Sequence, residues 1–483
     1  MSQSNATIMP RYSFAILPSR TIMWGMGWDR IMPLGGALLF IGFAKTMLHL
    51  SLVAAIIPAI LVLPACFITV KERKAIEYVR LAFGYLLEAK TWIAPLAMAR
   101  LGKGKARPSI LQLPPELSGL EFRETIINGE KVGAIETGKG KSRSVICVME
   151  LSSTTPFLLL TPEEQAQLLS KWGTVLDQSA TEEMRIRSLE WIVRITPSGG
   201  SEAENWALSH FSDDAAPHQS NDYMALLGQL TQAASGREYY LVVDIHAGTK
   251  KGLDAISLEV QSLLRRLKDA ELSGRVLGLT EVTRLIRAML SGKSINSVGE
   301  IEPYELAPSV RQTSWDSIHI DDTYSRSAAV HNWPSEDVSP AWLQGLLAIN
   351  SPSAAYTIAV HFIPTRPSQA RQRVRAAITT TEVAVQTRAR SGFAASAQAD
   401  RERQEARRRE EQLVAGYREH RIGCVLVTSA QSLEDLEEQY QHLVHCADST
   451  GIRLRKLYLE QKQGLVASLP LAKLSFTGGL GGW

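Results

Sequence analysis

Residues 51–70 (SLVAAIIPAILVLPACFITV) run for 20 positions without a charge. As a helix this stretch would span about 30 Å, the hydrocarbon thickness of a bilayer. Pro58 and Pro64 would break a soluble helix, whereas membrane helices tolerate proline where neighbours satisfy the freed carbonyls. Residues 31–48 (IMPLGGALLFIGFAKTML) read as a second span, with Lys45 near enough to its end to snorkel to the interface. Gly35, Gly36, Gly42 and Ala44 are small enough for two helices to approach closely. The apolar stretch is late, double and without a small-residue cleavage site, which argues against a signal peptide. A buried soluble hairpin is the plainer alternative.

Flanking charge gives this hairpin an orientation. Arg11, Arg20 and Arg30 precede it, Lys71, Arg73, Lys74 and Arg80 follow it, and the connection between the spans carries one lysine and His49. The positive-inside rule then expects a two-pass protein of the inner or plasma membrane with both termini cytoplasmic. Trp24 and Trp28 sit where an aromatic belt is expected, and with Arg30, Lys71, Arg73 and Lys74 they are the expected membrane-interface residues. Residues 72–101 read as a continuing helix that mixes Leu81, Phe83, Leu86 and Trp92 with Arg80, Glu88 and Lys90. Such a blend suits a helix on the headgroups or one packed under a soluble body. Residues 102–108 read as a linker.

Charge supports the same division. Residues 1–110 hold 13 Lys/Arg against 4 Asp/Glu, although the whole 483-residue chain carries a formal charge of only +3. A basic head suggests that one end meets something anionic. With 45% hydrophobic and 21% charged residues, the chain as a whole has the composition of a protein with a packed core. Cys66, Cys147, Cys424 and Cys446 are too scattered for a disulfide framework.

From Leu111 onward the pattern alternates strand and helix. Residues 120–127 and 132–136 flank Asn128-Gly129 as a tight hairpin, and a third strand covers 144–151. Thr161-Pro-Glu-Glu164 is a capping box opening a helix to about Gln178. Strands near 185–195 and 239–245 follow, then helices near 253–271 and 279–290. A hairpin over 314–331, a strand at 356–362 and a strand–helix–strand unit over 422–459 complete the body. The expected fold is a mixed α/β (α+β) cytoplasmic body with ferredoxin-like elements and a long helical segment, anchored by the N-terminal two-helix transmembrane hairpin. Its expected divisions are a cytoplasmic tail (1–28), the hairpin (29–70), an amphipathic helix and linker (71–108), a mixed domain (109–364), a helical segment (365–421), a closing unit (422–474) and a glycine-rich tail (475–483).

Candidate chemistry is sparse. Gly133–Gly140 (GAIETGKG) satisfies GxxxxGK but lacks the following Ser or Thr, and the residues after it read as a strand where a phosphate loop needs a helix. A hairpin turn fits better. Asp316, His319, Asp321 and Asp322 would suit a metal or a polar hairpin tip. His442, His445 and Cys446 share a helix, but zinc wants about four ligands. Asp244 and His246 share a strand face without a neighbouring nucleophile. The expectation is no enzyme, no cofactor, no metal and no small-molecule substrate. Residues 366–421 contain 13 arginines and no lysine against 7 acidic residues. Arg403, Arg407, Arg408 and Arg409 are thus candidates for docking a partner or nucleic acid, while Glu402, Glu405, Glu410 and Glu411 could pair with them on a solvated helix.

The order of features resembles a family of actinobacterial conjugation-type proteins. In these, the small two-helix inner-membrane subunit of a type IV secretion system is fused to the N-terminal, non-motor half of the traffic ATPase. The resemblance runs from about Tyr12 to Leu474. It rests on KERKAIEYVR (71–80), PFLLLTPEEQAQLLSKWGTVLDQ (156–178), SLEWIVRITP (188–197), AAVHNWPSEDVSPAWLQGLL (328–347), SLEDLEEQYQHLVHCADSTGIRLRKLY (432–458) and SLPLAK (468–473). It implies a membrane-anchored scaffold of a secretion or DNA-transfer channel whose partners are a separate motor ATPase and other channel subunits, with DNA a further candidate. In the full ATPase a motor would follow the SLPLAK region, so no ATP-related residue is carried over.

Overall fold

The fold was obtained as a computed structural model. It describes residues 69–70, 73–94, 115–153, 157–183, 185–197, 217–232, 235–248, 252–295, 308–351, 353–390 and 397–474, with single positions between 35 and 46, 207 and 210, and 298 and 306. These fall into two compact units, one from Lys90–Pro367 with Arg418–Trp483, the other from Ala15–Ala89 with Ser368–Tyr417.

The first unit is mixed α/β, built on a 13-stranded sheet whose pairings are antiparallel. It opens as the sequence leads one to expect. Strands β1 (Glu121–Ile127) and β2 (Glu130–Thr137) are joined by Asn128 and Gly129, both at positive φ (55° and 83°), the turn that matches strand twist. Within β3 (Ser144–Ser153), residues 145–149 form a continuous apolar run because both faces are covered there. Helix α1 (Pro162–Ser179) starts at the capping box: Glu164 N donates to Thr161 Oγ1 at 3.4 Å and Thr161 N donates to Glu164 Oε2 at 2.8 Å. Then come β4 (Ile186–Pro197), β5 (Ser235–His246), α2 (Gly252–Asp269), β6 (Leu272–Val276) and α3 (Leu279–Ser291).

The same series then repeats. β7 (Val310–Thr313) and β8 (Ile318–Ile320) form a hairpin, followed by β9 (Thr323–Asn332), the short α4 (Gln344–Leu347), β10 (Ala355–Pro364), β11 (His420–Ala430), α5 (Leu433–Ser449), β12 (Arg453–Lys456) and α6 (Gln461–Ser468). In each half a βαββαβ run places its strands in the order fourth, first, third, second: β6-β3-β5-β4 and β12-β9-β11-β10. This is the arrangement expected of ferredoxin-like packing. The detail repeats too. β2 pairs with the start of β3 and β6 with its end; β8 pairs with the start of β9 and β12 with its end. The halves meet where β4 pairs with β10, second strand against second strand.

Side-chain alternation along β4 shows how the layers form. Leu189, Val193 and Ile195 face the layer of α1, α2 and α5, in two separate cores, one per half. Ile192 faces the other way, into one core shared by both halves with Ala359 of β10, α3, α6, Leu469 and Leu471. Close approach on this side requires glycine. A Cβ at Gly133 would lie 2.8 Å from Leu279 Cα, and one at Gly464 would lie 2.5 Å from Ser327 Cβ.

The expected mixed domain and closing unit therefore build a single sheet, since β11 and β12 insert beside β9 and β10. Sequence also missed helix α6 and expected a strand over 454–459, where the structure has Arg453–Lys456. The expected helix over 72–101 is shorter. It runs Ala75–Leu87, and Thr91–Ile93 is a strand because it can pair with Val310–Gln312 at the sheet edge.

Most of the expected membrane hairpin lies outside the described residues. Gly35, Gly36, Leu39, Gly42, Phe43 and Thr46 are helical, with Leu39 and Phe43 exposed. Thr69–Val70 pairs as a two-residue strand with Arg73–Lys74, so the expected helix does not reach Val70. Among the described residues no helix is long and apolar enough to cross a membrane.

Candidate functional site

The seam between β4 and β10 carries the most unusual chemistry of the sheet. Glu190 lies opposite His361, and both are fully buried. A buried charge is costly unless paired and hydrogen-bonded, so these groups should be tied down or neutral. Each is tied to the backbone by one hydrogen bond. Glu190 Oε2 accepts from Ala472 N at 2.7 Å, and His361 Nε2 donates to Ala467 O at 2.7 Å. The two side chains approach to 3.6 Å. Burial pushes the Glu190 carboxyl well above its ordinary range, opposed by the amides of Ala472 and Leu471, and pulls His361 down to about 4. Burial thus disfavours the charged form of both side chains.

What the pair holds is the chain's own segment after α6. Ser188 Oγ, one turn of the pleat away, donates to Ala472 O at 2.8 Å. Leu471 N donates to Leu469 O at 2.6 Å, a three-residue turn centred on Pro470, and Ala472 takes a positive φ of 47°. Leu469 and Leu471 are buried in the shared core. The SLPLAK stretch is thus strapped across the seam.

Further along β4 the first half has its counterpart. Arg194 is 1% exposed; its Nη1 donates to Glu238 Oε2 at 2.6 Å and its Nη2 to Lys293 O at 2.7 Å, just beyond α3. Tyr240 Oη donates to the same carboxylate oxygen at 3.1 Å. Beside this network lies a cavity of about 360 Å³ lined by Glu150, Thr196, Arg237, Tyr240, Arg275 and Arg284, among others. Arg275 is engaged with Glu150 and Glu281, which hold its guanidinium charged.

The residues singled out from sequence are scattered. Trp24, Trp28, Arg30 and Lys71 lie outside the described residues. Arg73 and Lys74 form the short strand Arg73–Lys74, with Arg73 buried. Arg403, Arg407, Arg408 and Arg409 all lie on the helix Ala397–Val414, where Arg407 and Arg408 are exposed and Arg409 is half-buried. The GxxxxGK stretch divides between β2 and a hairpin turn: Gly138 and Gly140 take positive φ, and β3 follows at Ser144.

The acidic set of the second half is consumed in ion pairs. Asp316 Oδ2 accepts from Arg326 and from Lys456, each at 3.0 Å, Asp321 pairs with Arg287 at 2.6 Å and Asp322 with Lys293 at 3.1 Å. His319 stacks on Tyr324. Asp244 meets Ser144, the neighbour that sequence reading did not supply, while His246 Nδ1 lies 2.7 Å from Arg187 Nη2. Burial raises the Asp244 carboxyl, opposed by Ser144 and Arg187. Among the described residues no group of three metal-capable side chains converges.

Sequence reasoning passed over Glu190, Arg194 and His361. A signal was present: a glutamate and an arginine four apart inside the apolar run LEWIVRI, at a period that puts both on one strand face. Comparison with known proteins yields no match, neither a family description that fits the chain nor a curated protein of similar sequence.

Proposed function

We propose that this protein is a membrane-anchored scaffold of a type IV secretion or conjugative DNA-transfer machine, on which a separate motor ATPase and other channel subunits dock. The observation that carries this reading is how the buried polar groups of the seam are spent. Glu190, His361, Ser188 and Arg194 each hold a backbone carbonyl or amide of a segment that leaves the sheet. That is the work of architecture, fixing where the chain departs, and the segment so fixed is SLPLAK, after which the resembling family continues into a motor. The uncharged run at 51–70 supplies the anchor, with the two-pass, cytoplasm-facing topology expected from its flanking charge.

The docking surface in this reading is the helix Ala397–Val414, whose Arg407 and Arg408 face outward. Capture of a tagged full-length chain from native membranes in mild detergent tests the proposal. A stoichiometric motor ATPase and further membrane subunits are expected, with the ATPase lost on charge reversal at Arg407 and Arg408. A chain that emerges alone from membranes expressing secretion genes would overturn it.

The same exposed arginines favour one second reading, a membrane-tethered nucleic-acid binder. Phosphate contacts would make DNA binding fall steeply with salt and be lost on the charge reversal, and a full chain that binds no DNA at low salt would dismiss it.

A further inference from the structure

The helix Ala75–Leu87 is inside out. Its exposed residues include Val79 (59%), Phe83 (65%), Leu86 (71%) and Leu87 (74%), spaced i, i+4, i+7 and i+8, the pattern of one helix face. Glu77, Tyr78, Leu81 and Tyr85 are half-buried instead. Four large apolar side chains turned outward on one face form a patch of the kind that marks a membrane or partner contact. Arg80 is exposed at the margin of this face, and Lys71 and Lys74 precede the helix in the sequence, with Arg73 buried between them.

Position in the chain says what covers the face. The uncharged run at 51–70 ends five residues before the helix begins. A segment joined so closely to a bilayer span emerges at the headgroups, where an apolar face can sink and a basic margin meets anionic phosphates. We propose that Ala75–Leu87 is an interfacial helix, lying in the membrane plane with Val79, Phe83, Leu86 and Leu87 buried in the headgroup and acyl boundary. This rests on the anchor reading of residues 51–70. With that anchor it gives the cytoplasmic body two attachments, a span and a flat helix, which fixes its rotation about the membrane normal where a single span would leave it free.

The test uses the full chain with its native cysteines replaced, reconstituted in phosphatidylcholine vesicles with and without phosphatidylglycerol. Single cysteines at Val79, Phe83 and Leu86 carry an environment-sensitive fluorophore, with Glu88→Cys as the solvent reference and Ala59→Cys as the reference for the span. The expected result is blue-shifted emission at Val79, Phe83 and Leu86, quenched by lipids bearing a nitroxide near the headgroup, at a depth of about 5–10 Å. Glu88 should stay water-like, and Ala59 should be quenched by a nitroxide at the acyl chain end. Water-like emission from the three face labels with Ala59 quenched would overturn the interfacial helix and leave the anchor standing. Blue-shifted labels that no lipid quenches would assign the face to a protein and overturn it equally. An unquenched Ala59 would remove the anchor and the proposal together.

Discussion

In the first half of the sheet Arg194 reaches the carbonyl of Lys293 just beyond α3; in the second, His361 reaches the carbonyl of Ala467 within α6. The halves share strand order, hairpins and closing helices, yet they tie off those helices with opposite chemistry. Arg194 is an ion pair with Glu238, supported by Tyr240. His361 is a neutral ring beside a carboxyl that burial has driven toward neutrality. The duplicated topology therefore fixes that something must hold each helix end, and leaves open whether charge or a neutral hydrogen bond does so. The excursions between second and third strands differ as well. The first half carries the helix Pro217–Gln232 there; the second carries Pro367–Arg390 and Ala397–Val414, the arginine-rich pair. The neck of that longer excursion is pinned to the first half, with Arg418 N donating to Asp177 Oδ1 at 3.0 Å and Ser179 Oγ 3.1 Å from His420 Nε2.

The largest effect that would sharpen this contrast is at the charged tie. Arg194→Ala strands Glu238 beside a buried tyrosine, and breaking such a pair from one side costs about 3–5 kcal/mol. His361→Asn removes one neutral hydrogen bond and should cost about 1–3 kcal/mol. Denaturant unfolding of the full chain in detergent measures both. Equal losses would mean that the two ties are energetically alike and the contrast is only chemical.

Acidity separates the ties next. His361 titrates at about 4 in the fold against 6.5 unfolded, so across that window the unfolded chain binds the extra proton. Stability from this group is complete above pH 6.5 and is lost as pH falls toward 4, by about 3 kcal/mol in total. His420, also pulled down to about 4 by burial, adds loss in the same window. Glu190 runs the other way. Its folded pKa is raised, so stability from it is present below 4.5 and declines as pH rises through the raised value. Glu190→Gln should therefore add stability progressively as pH rises above 4.5 and leave the acid side unchanged. An acid limb equally shifted in Glu190→Gln would show that the two groups titrate as one.

Packing should treat the halves alike. Gly133→Ala forces β2 from α3 and Gly464→Ala forces α6 from β9, each against atoms under 3.0 Å away. Overpacking of this kind costs about 1–3 kcal/mol, and similar losses at both sites are expected in the same unfolding measurement. A tolerated Gly464→Ala would mean that the second half closes more loosely.

How much of this was legible beforehand follows from the range of each interaction. The Asn128-Gly129 hairpin, the Thr161 capping box and the alternation of strand and helix are local, written within a few residues. The joining of β4 to β10 is not, because its partners lie more than a hundred residues apart and carry no shared motif. Helix α6 was missed because its sequence, QKQGLVAS, has a central glycine and no amphipathic stripe; it is helical because it is almost entirely enclosed. Glu190 and His361 were passed over for a related reason. A glutamate in an apolar run announces that something must satisfy it, but only the fold shows that a backbone amide 282 residues away does so.

The smallest expected effect reads the two halves through their thiols. Cys147 sits in β3 and Cys424 in β11, each buried in the core beneath its own pair of helices, and burial pushes both up to about 12. Cys446 on α5 is half-buried and raised less completely by the same cause. The thiolate is the reacting species, so in the folded chain a water-soluble disulfide reagent should modify Cys446 before Cys147 and Cys424. Cys147 and Cys424 should react only as fast as their halves open, and their order of reaction then reports which half opens more readily. If both react together at every denaturant concentration, the seam makes one cooperative unit of the duplicated sheet. If Cys424 reacts well before Cys147, the half held by neutral ties is the weaker of the two. Arg194→Ala should then close the gap by weakening the other.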